Sequence, residues 1–375
     1  MMGFWTGVLT LLCCTLSVMM LIAFRWLLRR RRRRLALIVI AANLAVPAIV
    51  IILHGKDVQY AGGLAIIAAI ALMAELILCL LVYIAALLRF LWRRMLREPF
   101  DGGRRRVLKG AVCYPVAALA LGSYGSLYER NHQVLHEISV PVADGRLYGY
   151  RIAQLSDVHI GMFFSLGMLR NLLEKAAAEK PDVLVITGDL FDDEEMNERA
   201  AKIVDSFSER FKDGIYFIRG NHEHYRNMNA TERYIKSTHI HELVNGAREV
   251  RPGLWFVGVE YPMDRPHFGK LEHEFARQAF SHVPDGALSV LLAHHPDFID
   301  DGRQYGARLV LTGHTHGGQF GVLGVPVVPH VFKYMRGIYD FGETMGYVHT
   351  GNGSWCPMRI GCPPEIAVFR FTARK

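Results

Sequence analysis

The sequence predicts an α/β domain preceded by an N-terminal transmembrane helical region, and three observations predict it. Long apolar runs broken by arginine clusters fill the first third of the 375 residues. From residue 150 onward, apolar stretches of strand length are joined by a segment with helical spacing, the pattern of a βαβ unit. Five of those stretches end abruptly in Asp, Asn or His, at the strand tips where α/β folds gather ligands.

Apolar residues make up 51% of the chain and are concentrated toward its N-terminal end. A hydrocarbon core of about 30 Å needs roughly 20 helical residues to cross. Residues 4–24, 35–53 and 63–91 meet that length, and 110–127 is a shorter fourth candidate that contains Pro115. Glu75, inside the third run, suits a helix–helix contact or an interfacial position, a proton relay being the other reading. The formal charge of +8 has its excess in residues 29–34, 93–97 and 104–109, always beside apolar runs. Placed there it is a topology signal rather than a nucleic-acid face, so the expected partner is the lipid bilayer and not nucleic acid.

By the positive-inside rule the N-terminus lies outside. A fourth crossing then puts everything after residue 127 on the periplasmic or extracellular side of an inner or cell membrane. If the fourth run does not cross, the domain stays in the cytoplasm. Residues 103–109 also resemble a twin-arginine export segment, with a plain basic flank as the alternative; Ala118-Leu119-Ala120 is a conceivable cleavage site. Cys13, Cys14, Cys79 and Cys113 fall in apolar runs as packing residues. Cys356 and Cys362 either form a disulfide or stay two separate thiols.

Residues 129–149 are polar and contain the turn dipeptide Asp144-Gly145, which marks a linker with a first strand between the 1–128 membrane region and a domain over 150–375. The first strand of that domain ends in Ser156-Asp157-Val158-His159. Asp157 and His159 are two apart, so on an extended chain they point the same way. Residues 166–179 have apolar positions at Leu166, Leu169, Leu172, Leu173 and Ala176, a helix that stops at Lys180-Pro181. The run 182–189 is nearly all apolar, as in a strand covered on both faces, and ends in Gly188-Asp189.

Asp192 and Asp193 follow in an acidic loop and read as solvated. Ile215 to Ile218 leads into Arg219-Gly220-Asn221-His222-Glu223. Ser289 to Ala293 leads into His294-His295, and 307–312 into Gly313-His314-Thr315-His316-Gly317-Gly318-Gln319. One His at a strand end is a polar residue meeting water; five tips ending in this chemistry point to a metal centre. Mixed Asp, Asn and His donors suit Mn, Fe or Zn better than an all-oxygen Mg site.

Asp-x-His, Gly-Asp, Gly-Asn-His-Glu, His and Gly-His-Thr-His in this order resemble the calcineurin-like metallophosphoesterase superfamily over residues 150–371. The string Gly-His-Thr-His-Gly-Gly-Gln and Cys362-Pro363-Pro364-Glu365-Ile366 resemble its membrane-associated phosphodiesterase branch, related to UDP-2,3-diacylglucosamine hydrolases. The resemblance implies a four-layer α-β-β-α sandwich. It implies two divalent metal ions, one held by Asp157, His159, Asp189 and His316, the other by Asp189, Asn221, His294 and His314. His222 would be the catalytic residue, contacting the phosphate or protonating the leaving group.

The expected reaction is attack of metal-bound hydroxide on a phosphodiester or pyrophosphate. The substrate is a phosphoester held near the membrane or linked to lipid, such as UDP-2,3-diacylglucosamine of lipid A biosynthesis. UDP-sugars are made inside the cell, which conflicts with an external domain. A non-catalytic membrane sensor or scaffold is the alternative from another class, and the complete ligand set opposes it. The other histidines (His239, His241, His267, His273, His282, His330 and His349) are read as lying at the surface or behind the site. Trp255 and Phe256 are read as core. Phe163, Phe164, Phe320 and Tyr334 form either an apolar lip or ordinary packing.

Overall fold

The computed structural model describes residues 120–322, 325–326, 332–354 and 356–374, with isolated helical positions at 41, 45, 84 and 88. The apolar runs 4–24, 35–53 and 63–91, Glu75, the four N-terminal cysteines, the basic segment 103–109 and His330 therefore lie outside the described residues. Of the fourth run only 120–127 is described; it is helical and passes into a π-helical turn, Tyr124–Tyr128. Among the described residues no helix is long and apolar enough to cross a membrane. The chain divides into two compact units, Met1–Tyr128 and Glu129–Lys375.

The second unit begins with β1 (Val134–Val142), β2 (Arg151–Leu155), α1 (Leu166–Ala178), β3 (Val183–Thr187), α2 (Glu194–Asp205) and β4 (Ile215–Ile218). There follow α3 (Asn221–Tyr225), α4 (Met228–Lys236), β5 (His241–Glu242), β6 (Gly246–Arg251), β7 (Leu254–Gly258), α5 (Phe268–Phe280) and β8 (Leu288–Leu292). The last group is α6 (Phe298–Gln304), β9 (Leu309–Thr312), β10 (Gly321–Val322), β11 (Val325–Pro326), β12 (Gly337–Asp340), β13 (Met345–Val348) and β14 (Glu365–Ala373).

Local chemistry sets the ends of these elements. Ser165 caps α1 by accepting from the Met168 N–H, and Asp193 caps α2 by accepting from Glu195 and Met196. A cap of this kind is worth about 1 kcal/mol. Asp193 is thus a helix cap and not a free loop charge.

Two six-stranded sheets form, in the orders β1-β14-β2-β3-β4-β5 and β12-β13-β9-β8-β7-β6. β2, β3 and β4 run parallel in the first, and β7, β8, β9 and β13 run parallel in the second. β14 lies between β1 and β2, parallel to one and antiparallel to the other, so the C-terminal strand ends up inside the first sheet, second from its edge.

Strand alternation divides the side chains into layers. Ile152, Val183, Val185 and Ile218 of the first sheet meet Phe256, Val290, Leu292, Leu309 and Leu311 of the second in a shared core. The residues between them, Ala153, Leu155, Leu184 and Ile186, face outward and pack on Leu169 and Leu173 of α1 and Ala200 and Val204 of α2. Outward Val257, Leu291 and Val310 of the second sheet pack on Ala276 and Ala279 of α5 and Phe298 and Ile299 of α6. The result is the expected α-β-β-α sandwich, and both faces of each central strand are covered, which is why these strands read as unbroken apolar runs. Cutting Leu173 back to Ala in such a core costs about 2–5 kcal/mol.

Buried Gln154 ties the layers near the strand tips by donating to Thr187 Oγ1 at 2.9 Å and to the Thr312 carbonyl at 3.0 Å. Phe256 is core as expected, while Trp255 is only half-buried. Phe164 and Tyr334 are buried as well, so neither contributes to an apolar lip.

Candidate metal centre

The strands end at Leu155, Thr187, Ile218, Leu292 and Thr312, and the candidate residues follow within a few positions of each end. Asp157, His159, Asp189 and Asn221 come from the carboxyl edge of the first sheet. His294, His314 and His316 come from the same edge of the second. The extended geometry expected for Asp157-x-His159 and His314-x-His316 is corrected here. Asp157, His159, Asp189, His314 and His316 have φ of 51°, 51°, 53°, 71° and 50°, the left-handed region. A non-glycine residue held there costs about 1–3 kcal/mol and persists only where its surroundings over-determine it. The chain turns sharply off each strand, which swings these side chains over the edge of the sandwich.

The side chains meet in three overlapping groups: Asp157 with His159 and His316, His159 with Asp189 and His222, and Asp189 with His294 and His314. His159 Nε2 faces His316 Nε2 at 3.0 Å, and His316 Nε2 lies 3.5 Å from Asp157 Oδ1. Asp189 Oδ2 is 3.1 Å from His294 Nε2 and 3.7 Å from His159 Nε2, so one carboxylate reaches both ends of the cluster. His314 Nδ1 is 3.2 Å from His294 Nε2. His294 Nδ1–H donates to the Thr187 carbonyl at 2.8 Å, which turns Nε2 into the cluster, the usual arrangement behind a metal-ligating histidine. The buried Oδ1 of Asn221 has no hydrogen-bond partner.

Charge is concentrated here. Burial alone would push Asp189 up, but His294, His222 and His159 outweigh it and hold its carboxyl well below the usual range. Burial pulls His294 down, yet Asp189 lifts it to about 10. The two form a buried ion pair, and a divalent cation would take the place of the proton. Burial, then His294 and His295, hold His314 well below its ordinary value; burial, then His159 and Arg359, do the same for His316. Neutral rings offer lone pairs. Buried imidazole nitrogens facing each other, two carboxylates and an orphaned amide oxygen fit a pair of divalent cations. His295, by contrast, lies in an aromatic group with Tyr261, Phe268 and Phe332.

Several supporting residues were not read from the sequence. Asp192, expected to be solvated, accepts from His222 Nδ1 at 2.9 Å and from Arg226 at 2.5 Å, and its other oxygen is 3.4 Å from His159 Nδ1. Burial opposes its ionisation, but His159 and His222 hold its carboxyl well below the normal range. The error has a physical source: an aspartate in an acidic loop looks the same whether or not an imidazole from another strand folds against it.

Glu223 accepts from the backbone N–H groups of Gly220, Asp189, Leu190 and Phe191 at 2.7, 3.0, 2.8 and 2.9 Å. It clamps the turns after β3 and β4 together, and its place in Gly-Asn-His-Glu was the available signal. Asn352 accepts from Ser156 N–H at 2.9 Å, and its own N–H donates to the Ser156 carbonyl at 2.8 Å. His349 is fully buried behind this loop and accepts from Gly351 N–H at 2.9 Å. Cys356 and Cys362 are free thiols, and Cys362 Sγ donates to the His316 carbonyl at 3.3 Å.

Residues 150–318 match the family model described as calcineurin-like phosphoesterase. The uncharacterized metallophosphoesterase YkuE of Bacillus subtilis (strain 168) is 29% identical over 287 residues, 71% of this chain and 96% of that protein. The uncharacterized metallophosphoesterase Cj0846 of Campylobacter jejuni is 29% identical over 60% of this chain and 60% of its own length. A Danio rerio relative named transmembrane protein with metallophosphoesterase domain is 30% identical over 69% of this chain and 63% of its own. The family match spans the strand tips that carry the acids and histidines described above, and with these relatives it supports a metal-dependent phosphoesterase of the calcineurin-like kind.

Proposed function

We propose that this chain is a membrane-anchored two-metal hydrolase of phosphodiesters or pyrophosphates, with lipid-linked phosphoesters as its substrate class. The observation that carries the reading is the convergence of Asp157, His159, Asp189, His294, His314 and His316 from four strand ends, with ring nitrogens and carboxylate oxygens 3.0 to 3.7 Å apart. Asp157, His159, Asp189 and His316 would hold one ion, and Asp189, Asn221, His294 and His314 the other. Two divalent ions such as Mn, Zn or Fe neutralise a phosphoryl group and activate water near neutral pH.

The protein's own share is positioning and proton supply. Asp189 would serve both ions, its Oδ2 lying 3.1 Å from His294 Nε2 and 3.7 Å from His159 Nε2, while Oδ1 is fixed by His222 N–H at 2.9 Å. Asp192 takes His222 Nδ1, which leaves Nε2 as the atom to protonate a leaving oxygen. Burial opposes a charged His222, but Asp189 and Asp192 lift it to about 9, so a proton is present near neutral pH.

The apolar runs before residue 128 and the name of the Danio rerio relative support the anchor. An anchored enzyme meets a lipid-held substrate without either partner leaving the membrane, which favours the lipid-linked class. UDP-2,3-diacylglucosamine is the member suggested by the Gly-His-Thr-His-Gly-Gly-Gln and Cys-Pro-Pro-Glu strings, and it requires a cytoplasmic site, whereas the arginine pattern favours an external one.

The test is hydrolysis by the purified full chain and by Asp189→Asn, each supplied with Mn, Zn or Fe. Bis-p-nitrophenyl phosphate and a UDP-diacylglucosamine analogue are the substrates. Metal-dependent turnover of the analogue, lost in the variant, supports the whole proposal. Turnover of the soluble diester alone removes the lipid-linked class. No turnover with any metal in a folded chain would favour a non-catalytic sensor or scaffold.

A further inference from the structure

Arg359 is the largest fully buried side chain among the described residues. A guanidinium stays charged and can only donate, so one sealed from water needs an acceptor on every side. Among the described residues no carboxylate lies within ion-pair distance of it. Its acceptors are carbonyls and one hydroxyl, and one imidazole lies beside it. Nε donates to the Gly353 carbonyl at 3.1 Å and to Ser354 Oγ at 3.0 Å. One terminal nitrogen donates to the Cys362 carbonyl at 3.1 Å. The other reaches the carbonyls of Gly353 at 2.6 Å and Gly351 at 3.4 Å, and His316 Nδ1 at 3.2 Å.

Those partners belong to the segment that closes over the Asp157 side of the cluster. Gly353 N–H donates to the Asp157 carbonyl at 2.9 Å, and Asn352 holds both backbone groups of Ser156. The other face of His316 is Nε2, aimed at His159 and Asp157. With Nε2 turned to a metal, His316 Nδ1 would carry the ring proton and could not accept, so what the guanidinium holds is the loop that seats Asp157 and lies behind the His316 ring. None of the hydrogen bonds of Arg359 reaches Asn221, His294 or His314.

We propose that Arg359 is a positioning residue for one of the two metal positions, the one formed by Asp157, His159 and His316, and acts on it by holding the 351–354 segment that seats Asp157 and lies behind the His316 ring. The inference rests on the two-metal reading above. Its chemical content is the planar fork: three nitrogens held in one plane satisfy the carbonyls of Gly351, Gly353 and Cys362 and Ser354 Oγ together, which a lysine ammonium cannot do.

The experiment counts metals and measures their affinities in the purified full chain by elemental analysis and Mn²⁺ calorimetry. Wild type is compared with Arg359→Lys, Arg359→Met, His316→Ala and the His316→Ala/Arg359→Met double variant. Wild type should bind two equivalents. Arg359→Met should keep one at wild-type affinity and weaken the other by about 10–100-fold, the usual effect of removing a residue that orients a ligand. The double variant should lose less than the two single losses added together, because both residues serve the same metal position.

Arg359→Lys keeps the charge and most of the length, so it decides the matter if the methionine variant does not fold. Two equivalents at wild-type affinity in Arg359→Lys would overturn the proposal, as would equal weakening of both positions in either arginine variant. A wild-type chain that binds no metal would instead overturn the proposed function itself, and this inference with it.

Discussion

Replacing Gly220 by alanine tests whether Asp189 must sit where it does. The residue has φ of −101° and ψ of −172°, a backbone that alanine adopts freely, so the substitution introduces no backbone strain. Its only new feature is a methyl group. That carbon would lie 2.7 Å from the Asp189 backbone nitrogen and 2.9 Å from Asp189 Cγ, with Oδ1 nearest of all. Carbon atoms rest about 3.5–4.0 Å apart. Asp189 or the β4 turn must therefore move by roughly 0.5–1 Å, and Asp189 is the carboxylate that reaches both halves of the cluster.

A misplacement of about 1 Å at a reacting centre costs on the order of 100-fold in rate. The accompanying overpacking costs about 1–3 kcal/mol, which for a unit of this size lowers the melting temperature by roughly 2–12 °C and leaves it folded at 25 °C. The assay is metal-dependent hydrolysis of bis-p-nitrophenyl phosphate with parallel metal analysis. Gly269→Ala serves as the control, since a Cβ there meets nothing within 4 Å. Wild-type turnover and two bound metals in Gly220→Ala would refute the assignment of Asp189 as the shared ligand.

Further predictions concern the acid, the metals and pH. Asp192→Asn removes one of the charges that raise His222, so the acid should deprotonate sooner. The high-pH limb of the rate profile should then move to lower pH, with a loss of about tenfold or more for poor leaving groups and less for p-nitrophenolate, which needs no proton. Removing bound metal with a chelator should lower the melting temperature and restoring it should reverse the drop, because an ion at 1,000 times its Kd contributes about 4 kcal/mol; an unchanged melting curve would count against resident ions.

Glu272 on α5 is pushed up to about 8 by burial and then by Asp301, Asp297 and Asp300, whereas an unfolded glutamate titrates near 4.3. The folded chain thus holds a proton that the unfolded chain releases, and stability falls as pH rises through the window from about 4.3 to about 8. Glu272→Gln should leave the melting temperature unchanged near pH 4.5 and raise it at pH 8.5, and a pH-independent difference would exclude this cause.

How much of the site could be read from the sequence depended on whether a residue's role is local. Asp157, His159, Asp189, Asn221, His294, His314 and His316 were each legible because each follows an apolar run of strand length, and a chain leaving a buried strand must place its next polar residues at the sheet edge. The helix over Leu166–Ala178 was legible for the same reason, its apolar period and its stop at Lys180-Pro181 being adjacent in sequence. The left-handed turns at five of the seven positions were not, since only the neighbouring Gly188, Gly313 and Gly317 hint at tight backbone, and spacing alone suggests extended chain.

The roles of Asp192, Asn352 and Arg359 are set by distance in the chain. Asn352 and Arg359 reach Ser156 and His316 because β14 returns to lie between β1 and β2, bringing the segment before it back beneath the strand tips. No periodicity announces that return. A polar residue at a strand tip states its chemistry where it stands, whereas a buried cation such as Arg359 has meaning only once the acceptors around it are known. The residues gathered at the strand tips were therefore legible one at a time, and the residues that hold them in place only through the fold.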